Sequence, residues 1–129
     1  MTTRKILMTL AVLVIVAVAA GRFLYHEGPG SKTAPAELIG TWTTDHPGYS
    51  DRYVELRENI ITFGTGGTSF VHYTILGVEK NPSVEIDVYT VHFRDVGGTK
   101  FKKDIVLQPS GETFNFRNQA DVIWTLFER

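Results

Sequence analysis

The sequence predicts an all-β fold: a small antiparallel meander of about eight strands closing as a barrel, preceded by one N-terminal apolar helix. Three observations carry that prediction. Beyond Ala36, short segments rich in Val, Ile, Tyr, Phe and Thr alternate apolar with polar residues, and turn formers separate them about every ten positions. No stretch of that region keeps a helical period long enough to bury one face of a helix. Ahead of it, an uncharged run from Ile6 to Ala20 follows a basic start at Arg4 and Lys5.

The apolar run is the first element. As a helix, Ile6 to Ala20 covers about 22 Å, short of the ~30 Å hydrocarbon core of a bilayer. Continuing through Phe23, Leu24 and Tyr25, with Arg22 snorkelling its charge to the interface, gives about twenty residues, enough to span. Tyr25 and His26 then sit at headgroup level. Residues 1–25 therefore read as a signal-anchor or transmembrane helix. Ala17-Val18-Ala19 also fits a small-x-small cleavage pattern, so the alternative is a secreted or periplasmic product cut near Ala19. In both cases Arg4 and Lys5 stay inside, and the C-terminal domain is extracytoplasmic.

Residues 26–36, with Gly28, Pro29, Gly30, Ser31 and Pro35, have the composition of a flexible linker. Residues 37–129 are enough for one small domain and not two. From Glu37 onward nine basic residues face thirteen acidic ones, a net of −4, which disfavours nucleic acid as a partner. There is no cysteine, so the disulfide-scaffold class and a lipid-modified thiol are both excluded.

In order along the chain, strands are expected over Ile39–Thr43, Arg52–Arg57, Ile60–Phe63, Ser69–Val78, Val84–Arg94, Thr99–Gln108, Thr113–Arg117 and Val122–Glu128. Two hairpins have a predicted register. A two-residue loop at Glu58-Asn59 sets Leu56 against Ile61 and Val54 against Phe63 on one face, with Glu55 against Thr62 on the other. Asn59 is the loop residue suited to a positive φ. Symmetric pairing about Pro82 places Val71 opposite Phe93, Tyr73 opposite Val91 and Ile75 opposite Tyr89, all six on one buried face, with His72 opposite His92 on the reverse. After Gly97-Gly98, Lys103 interrupts the apolar alternation and leaves that register open.

Closure as a barrel removes sticky edges; a two-sheet sandwich is the alternative. Gly40-Thr41-Trp42 at the first strand resembles the Gly-x-Trp that opens the barrel in lipocalins, fatty-acid-binding proteins and avidins, the calycin group. The resemblance implies a lipocalin-like barrel plugged at one end by Trp42, a ligand-binding role, and a late arginine packed over that tryptophan. Arg117 and Arg129 are the two late arginines.

Residues with chemistry are few. Asp45, His46, Tyr49, Asp51 and Arg52 lie on the loop between the first two strands, where a barrel mouth would be, and could hold a small polar ligand or a metal there. The same loop is rich in turn formers, so ordinary turn geometry explains it equally. His72 and His92, if opposed, are two candidate metal ligands, but a site needs three or four. Phe63-Gly-Thr-Gly-Gly-Thr-Ser69 lacks the Lys-Ser or Lys-Thr and the helix of a phosphate loop. Lys100, Lys102 and Lys103 form a basic group suited either to anionic headgroups below the tether or to protecting a sheet edge.

In the last strand, Val122, Trp124 and Leu126 should fill the core, which leaves Ile123 and Phe127 outside as a possible partner surface. No catalytic set, metal site or cofactor is indicated. The expected function is thus non-enzymatic: a membrane-tethered module binding a small ligand or a protein partner. An accessory role in a membrane or envelope complex is the alternative, and a small enzyme using the Asp45–Arg52 loop is a further one.

Overall fold

The structure is a computed structural model that describes residues 30–82 and 86–129. The expected N-terminal helix over residues 1–25 lies outside the described residues. Among those described, no helix is long and apolar enough to cross a membrane.

Eight strands follow one another around a closed antiparallel barrel, each hydrogen-bonded to the next and the last to the first. They are β1 (Gly40–Thr43), β2 (Tyr53–Leu56), β3 (Ile60–Gly66), β4 (Ser69–Pro82), β5 (Asp87–Arg94), β6 (Lys100–Leu107), β7 (Thr113–Phe116) and β8 (Trp124–Glu128). The predicted strands are all present and the barrel, not the sandwich, is the architecture. Alternation decides which side chains enter the lumen. Trp42, Val54, Leu56, Ile61, Ile75, Val78, Tyr89, Val91, Phe93, Ile105, Leu107, Phe114, Phe116 and Trp124 are all buried.

The β2–β3 hairpin has the predicted register, Val54 with Phe63, Glu55 with Thr62 and Leu56 with Ile61. Asn59 departs from expectation, because among the described residues only glycines take a positive φ. The turn is held instead through its carbonyls: Glu58 O accepts from Ala34 N (2.9 Å) and Asn59 O from Ile75 N (2.8 Å).

The β4–β5 register differs from expectation. Ile75 pairs with Phe93, then the register shifts before Gly77, and Val78 pairs with Val91 and Lys80 with Tyr89. The turn therefore lies beyond Pro82, which itself pairs with Asp87. The bulge at Leu76 reverses the alternation, so Ile75 and Val78 both face the lumen while Leu76 is exposed. Symmetric pairing could not include an extra residue. The buried face survives for Ile75, Tyr89, Val91 and Phe93, but Tyr73 is half-buried and Val71 exposed, since β4 outruns β5 at that end. His72 and His92 are consequently not opposed: His72 pairs with Thr62, and His92 with Gly77 and Lys102.

Residues 31–38 are fastened across one end of the barrel, although residues 26–36 had the composition of a linker. Ser31 exchanges two backbone hydrogen bonds with Val78 (2.8 and 2.7 Å). Ala34 and Leu38 are buried, and a short 3-10 helix, Ala36–Leu38, brings Leu38 O to Trp42 Nε1 (3.0 Å). Arg129 Nη1 donates to Ala36 O (3.0 Å) from the other side. Gly40 is required where this strap enters β1: its φ is +146°, and an added Cβ would lie 2.7 Å from Glu128 O.

Candidate functional site

The strap crosses one end of the barrel, and the β1–β2, β3–β4, β5–β6 and β7–β8 connections lie at the other. Two halves of that end differ.

The half around β7, β8, β1 and β2 is covered. Tyr49, from the β1–β2 loop, packs on the core, and its hydroxyl accepts from Gln119 Nε2 in the β7–β8 loop (3.2 Å). Arg52 stacks its guanidinium 5.1 Å from the Tyr49 ring. His46 lies 5.5 Å from that ring, centroid to centroid, and its Nε2 is 3.7 Å from Asp121 Oδ2. His46 Nδ1 accepts the backbone N–H of Gly48 (3.1 Å), which leaves the neutral ring no free basic lone pair. Asp45 and Asp51 are exposed. The structure thus gathers Tyr49, His46 and Arg52, of which only Tyr49 packs on the core. The loop is held by its own turn hydrogen bonds and by one packed aromatic.

The half around β3 to β6 is uncovered. Phe63, Tyr73, Phe93 and Phe101 form a ring cluster, with Tyr73 5.0 Å from Phe93 and 5.6 Å from Phe101. Lys103 points inward from β6, opposite Val91. Its ammonium stands 4.8 Å from the Phe116 ring centroid and 5.8 Å from Phe63, a cation–π arrangement that lets a charge sit at an aromatic mouth. Beside it runs a groove of about 330 Å³ lined by Lys102, Lys103, Asp104, Arg117 and Asn118. Asp104 is committed within it, accepting from Thr90 Oγ1 (2.7 Å) and facing Arg117 Nη1 at 3.7 Å.

Below this rim, described side chains meet across the lumen. Phe63 on β3 and Phe116 on β7 come from opposite sides of the eight-strand ring, and their centroids are 6.3 Å apart. Trp42 meets Phe114 edge to face at 4.7 Å at the strap end. Side chains touching across the barrel leave no room at that level for a ligand to pass.

The remaining sequence candidates are dispersed. His72 shares a 2.8 Å hydrogen bond with Thr62, and His92 Nε2 lies 3.4 Å from Glu79 Oε1 without hydrogen-bond alignment. Among the described residues no group of three or more His, Cys, Asp or Glu is arranged to hold a metal. Lys100, Lys102 and Lys103 stand toward the end opposite the strap, and in a closed barrel they protect no edge. Ile123 and Phe127 are exposed, Phe127 at 70%, while Val122 and Trp124 are buried, as alternation required.

Sequence reasoning missed the rim of Val71, Tyr73, Phe101 and Lys103. Its signal was present in β6, where a lysine holds an inward position between Phe101 and Ile105. The chain matches no protein-family model, no curated protein and no solved structure. The fold and the site stand on geometry alone.

Proposed function

We propose that this chain is a membrane-tethered, extracytoplasmic β-barrel module that binds a protein partner at the barrel end away from its tether. The observation that carries this reading is the contact of Phe63 with Phe116 across the lumen, combined with an uncovered aromatic rim above it. A barrel that stored a small apolar molecule would need an interior cavity with a few converging polar groups. Here the apolar groups converge on one another, and what is left exposed is a shallow surface.

The tethering half of the proposal rests on the basic start and the apolar run to Ala20. The strap supports it, because the chain reaches the barrel at the Trp42 end and leaves the opposite end distal. A likeness to calycin barrels is part of the same reading. Near Gly40 and Trp42 at the strap end lies Arg129, one of the two late arginines, which donates to Ala36 O and Ile39 O. Short-range crosslinking of the full chain in its native membrane tests the reading. The expected result is one reproducible adduct with another protein. Only uncrosslinked monomer, under conditions that trap a known complex of the same membrane, would count against it.

A further inference from the structure

Like charges placed directly opposite each other across two strands destabilise a sheet. At the uncovered end, β5 and β6 do this: Arg94 pairs with Lys100, and Lys102 follows two residues on along the same face of β6. Among the described residues Arg94, Lys100, Lys102 and Lys103 make no salt bridge, while the acids nearest them are already engaged. Asp95 Oδ1 accepts the Thr99 N–H (2.8 Å), and Asp104 holds Thr90 and Arg117. This unneutralised basic group stands on a domain whose residues from Glu37 onward carry a net of −4. The mutual repulsion of these cations costs stability, which a docked partner of opposite charge would relieve.

The same rim exposes apolar side chains. Val96, at the tip of the β5–β6 loop, is 98% exposed, Phe101 42% and Val71 41%. They lie on consecutive elements at one end. Single exposed apolar residues need no explanation, but several at one barrel end beside unpaired cations suit a partner with both apolar and acidic groups.

We propose that Val71, Val96 and Phe101, with Arg94, Lys100 and Lys103, form the docking surface for a protein segment that carries carboxylates beside a large apolar side chain. The apolar side chain packs on the Tyr73–Phe101 rings, and the carboxylates meet the unpaired cations. Lys103, already over the Phe116 ring, receives a carboxylate without leaving its aromatic seat. This inference rests on the partner reading above and adds the surface and the partner's chemistry.

The test is selection of a random twelve-residue peptide display library on the full-length chain in detergent. Enriched peptides are then measured against three variants. Val96→Asp alters only a side chain already in water, and Lys100→Glu reverses a charge on the exposed face, so both keep the fold, which a thermal scan verifies. Phe127→Asp is the control at a distant exposed site. The inference expects enriched peptides to combine Asp or Glu with Phe, Leu or Trp. Val96→Asp and Lys100→Glu should each weaken them at least tenfold, added salt should weaken them further, and Phe127→Asp should change nothing. Enrichment of basic or purely polar peptides overturns it, as does an unproductive selection. Peptides lost in Phe127→Asp but not in the rim variants overturn the surface while leaving the partner reading intact. Saturable binding of decanoate at the rim in place of any peptide overturns both.

Discussion

The hydroxyl of Tyr89, on β5, donates a hydrogen bond to the carboxylate of Glu37 in the strap. Lys80 stands over the same pair, 4.0 Å from Glu37, 3.5 Å from Asp87 and 5.6 Å from the Tyr89 ring. One buried tyrosine thus ties the strap to the barrel wall.

The tie makes stability pH-dependent at both ends of the scale. The Tyr89 hydrogen bond, followed by the backbone hydrogen bond at Glu37 itself and then the nearby Lys80 and Arg129 charges, holds the Glu37 carboxyl below its ordinary 4.5. A carboxylate depressed in the folded state stabilises fully above the unfolded value, and the contribution is lost as pH falls through the folded value. Burial, then the Glu37 carboxylate, pushes the Tyr89 hydroxyl well above its ordinary 10.0, so its contribution is present below that value and lost as pH rises past it. Urea-unfolding midpoints should therefore fall below about pH 4.5 and above about pH 10. Glu37→Gln should flatten the acid limb, and Tyr89→Phe should cost about 1–2 kcal/mol at neutral pH.

Trp42 and Trp124 are both buried, but only Trp42 has a partner for its indole N–H, the Leu38 carbonyl. Trp42→Phe should cost about 1–3 kcal/mol through the lost hydrogen bond and the void beside Phe114. Trp124→Phe removes an unsatisfied donor along with some ring volume, so it should fall within about 1 kcal/mol of the parent. Equal losses in chemical denaturation would contradict this assignment.

Gly40→Ala should be far more damaging than Gly67→Ala. It combines a φ of +146° with a Cβ 2.7 Å from Glu128 O and 2.8 Å from Leu126 Cδ1. A loss of about 3 kcal/mol or more is expected. Gly67 has a φ of +58° but nothing within 4 Å of an added Cβ, so Gly67→Ala should cost only about 1 kcal/mol.

How much of this was legible in the sequence depends on alternation. The β2–β3 hairpin was readable because Val54, Leu56, Ile61 and Phe63 fall at matching alternate positions and the turn holds only Glu58 and Asn59. β4–β5 was not, because the bulge at Leu76 adds a residue without any polar signal, and everything beyond it, His92 included, moves. The strap was hidden by its own composition: only Ala34 and Leu38 are buried in a stretch of Pro, Ser, Lys and Thr, and their value lies in contacts distant in sequence. At the far end, the β1–β2 loop was correctly placed near the barrel mouth. Whether its polar residues bind or merely close depended on Gln119 and Asp121, some seventy positions away for the Tyr49 contact.

Tyr49 is the structural residue of that loop. Tyr49→Ala should cost about 2 kcal/mol by exposing the core beneath, while Asp45→Ala and Asp51→Ala should stay within about half a kcal/mol. Thermal unfolding of the three variants compares them directly. Comparable losses in all three would mean that the polar loop residues carry packing the geometry does not assign to them.

That the lumen is filled is tested most directly by following tryptophan emission while decanoate is added to the full-length chain. Trp42 and Trp124 both lie in the core against Phe114, so a molecule entering the barrel must displace rings beside them. The predicted result is an emission maximum and intensity that do not change up to the solubility limit of the probe. Saturable quenching at one molecule per chain, reversed by a competing apolar ligand, would contradict a closed interior and return the barrel to the class of small-molecule carriers.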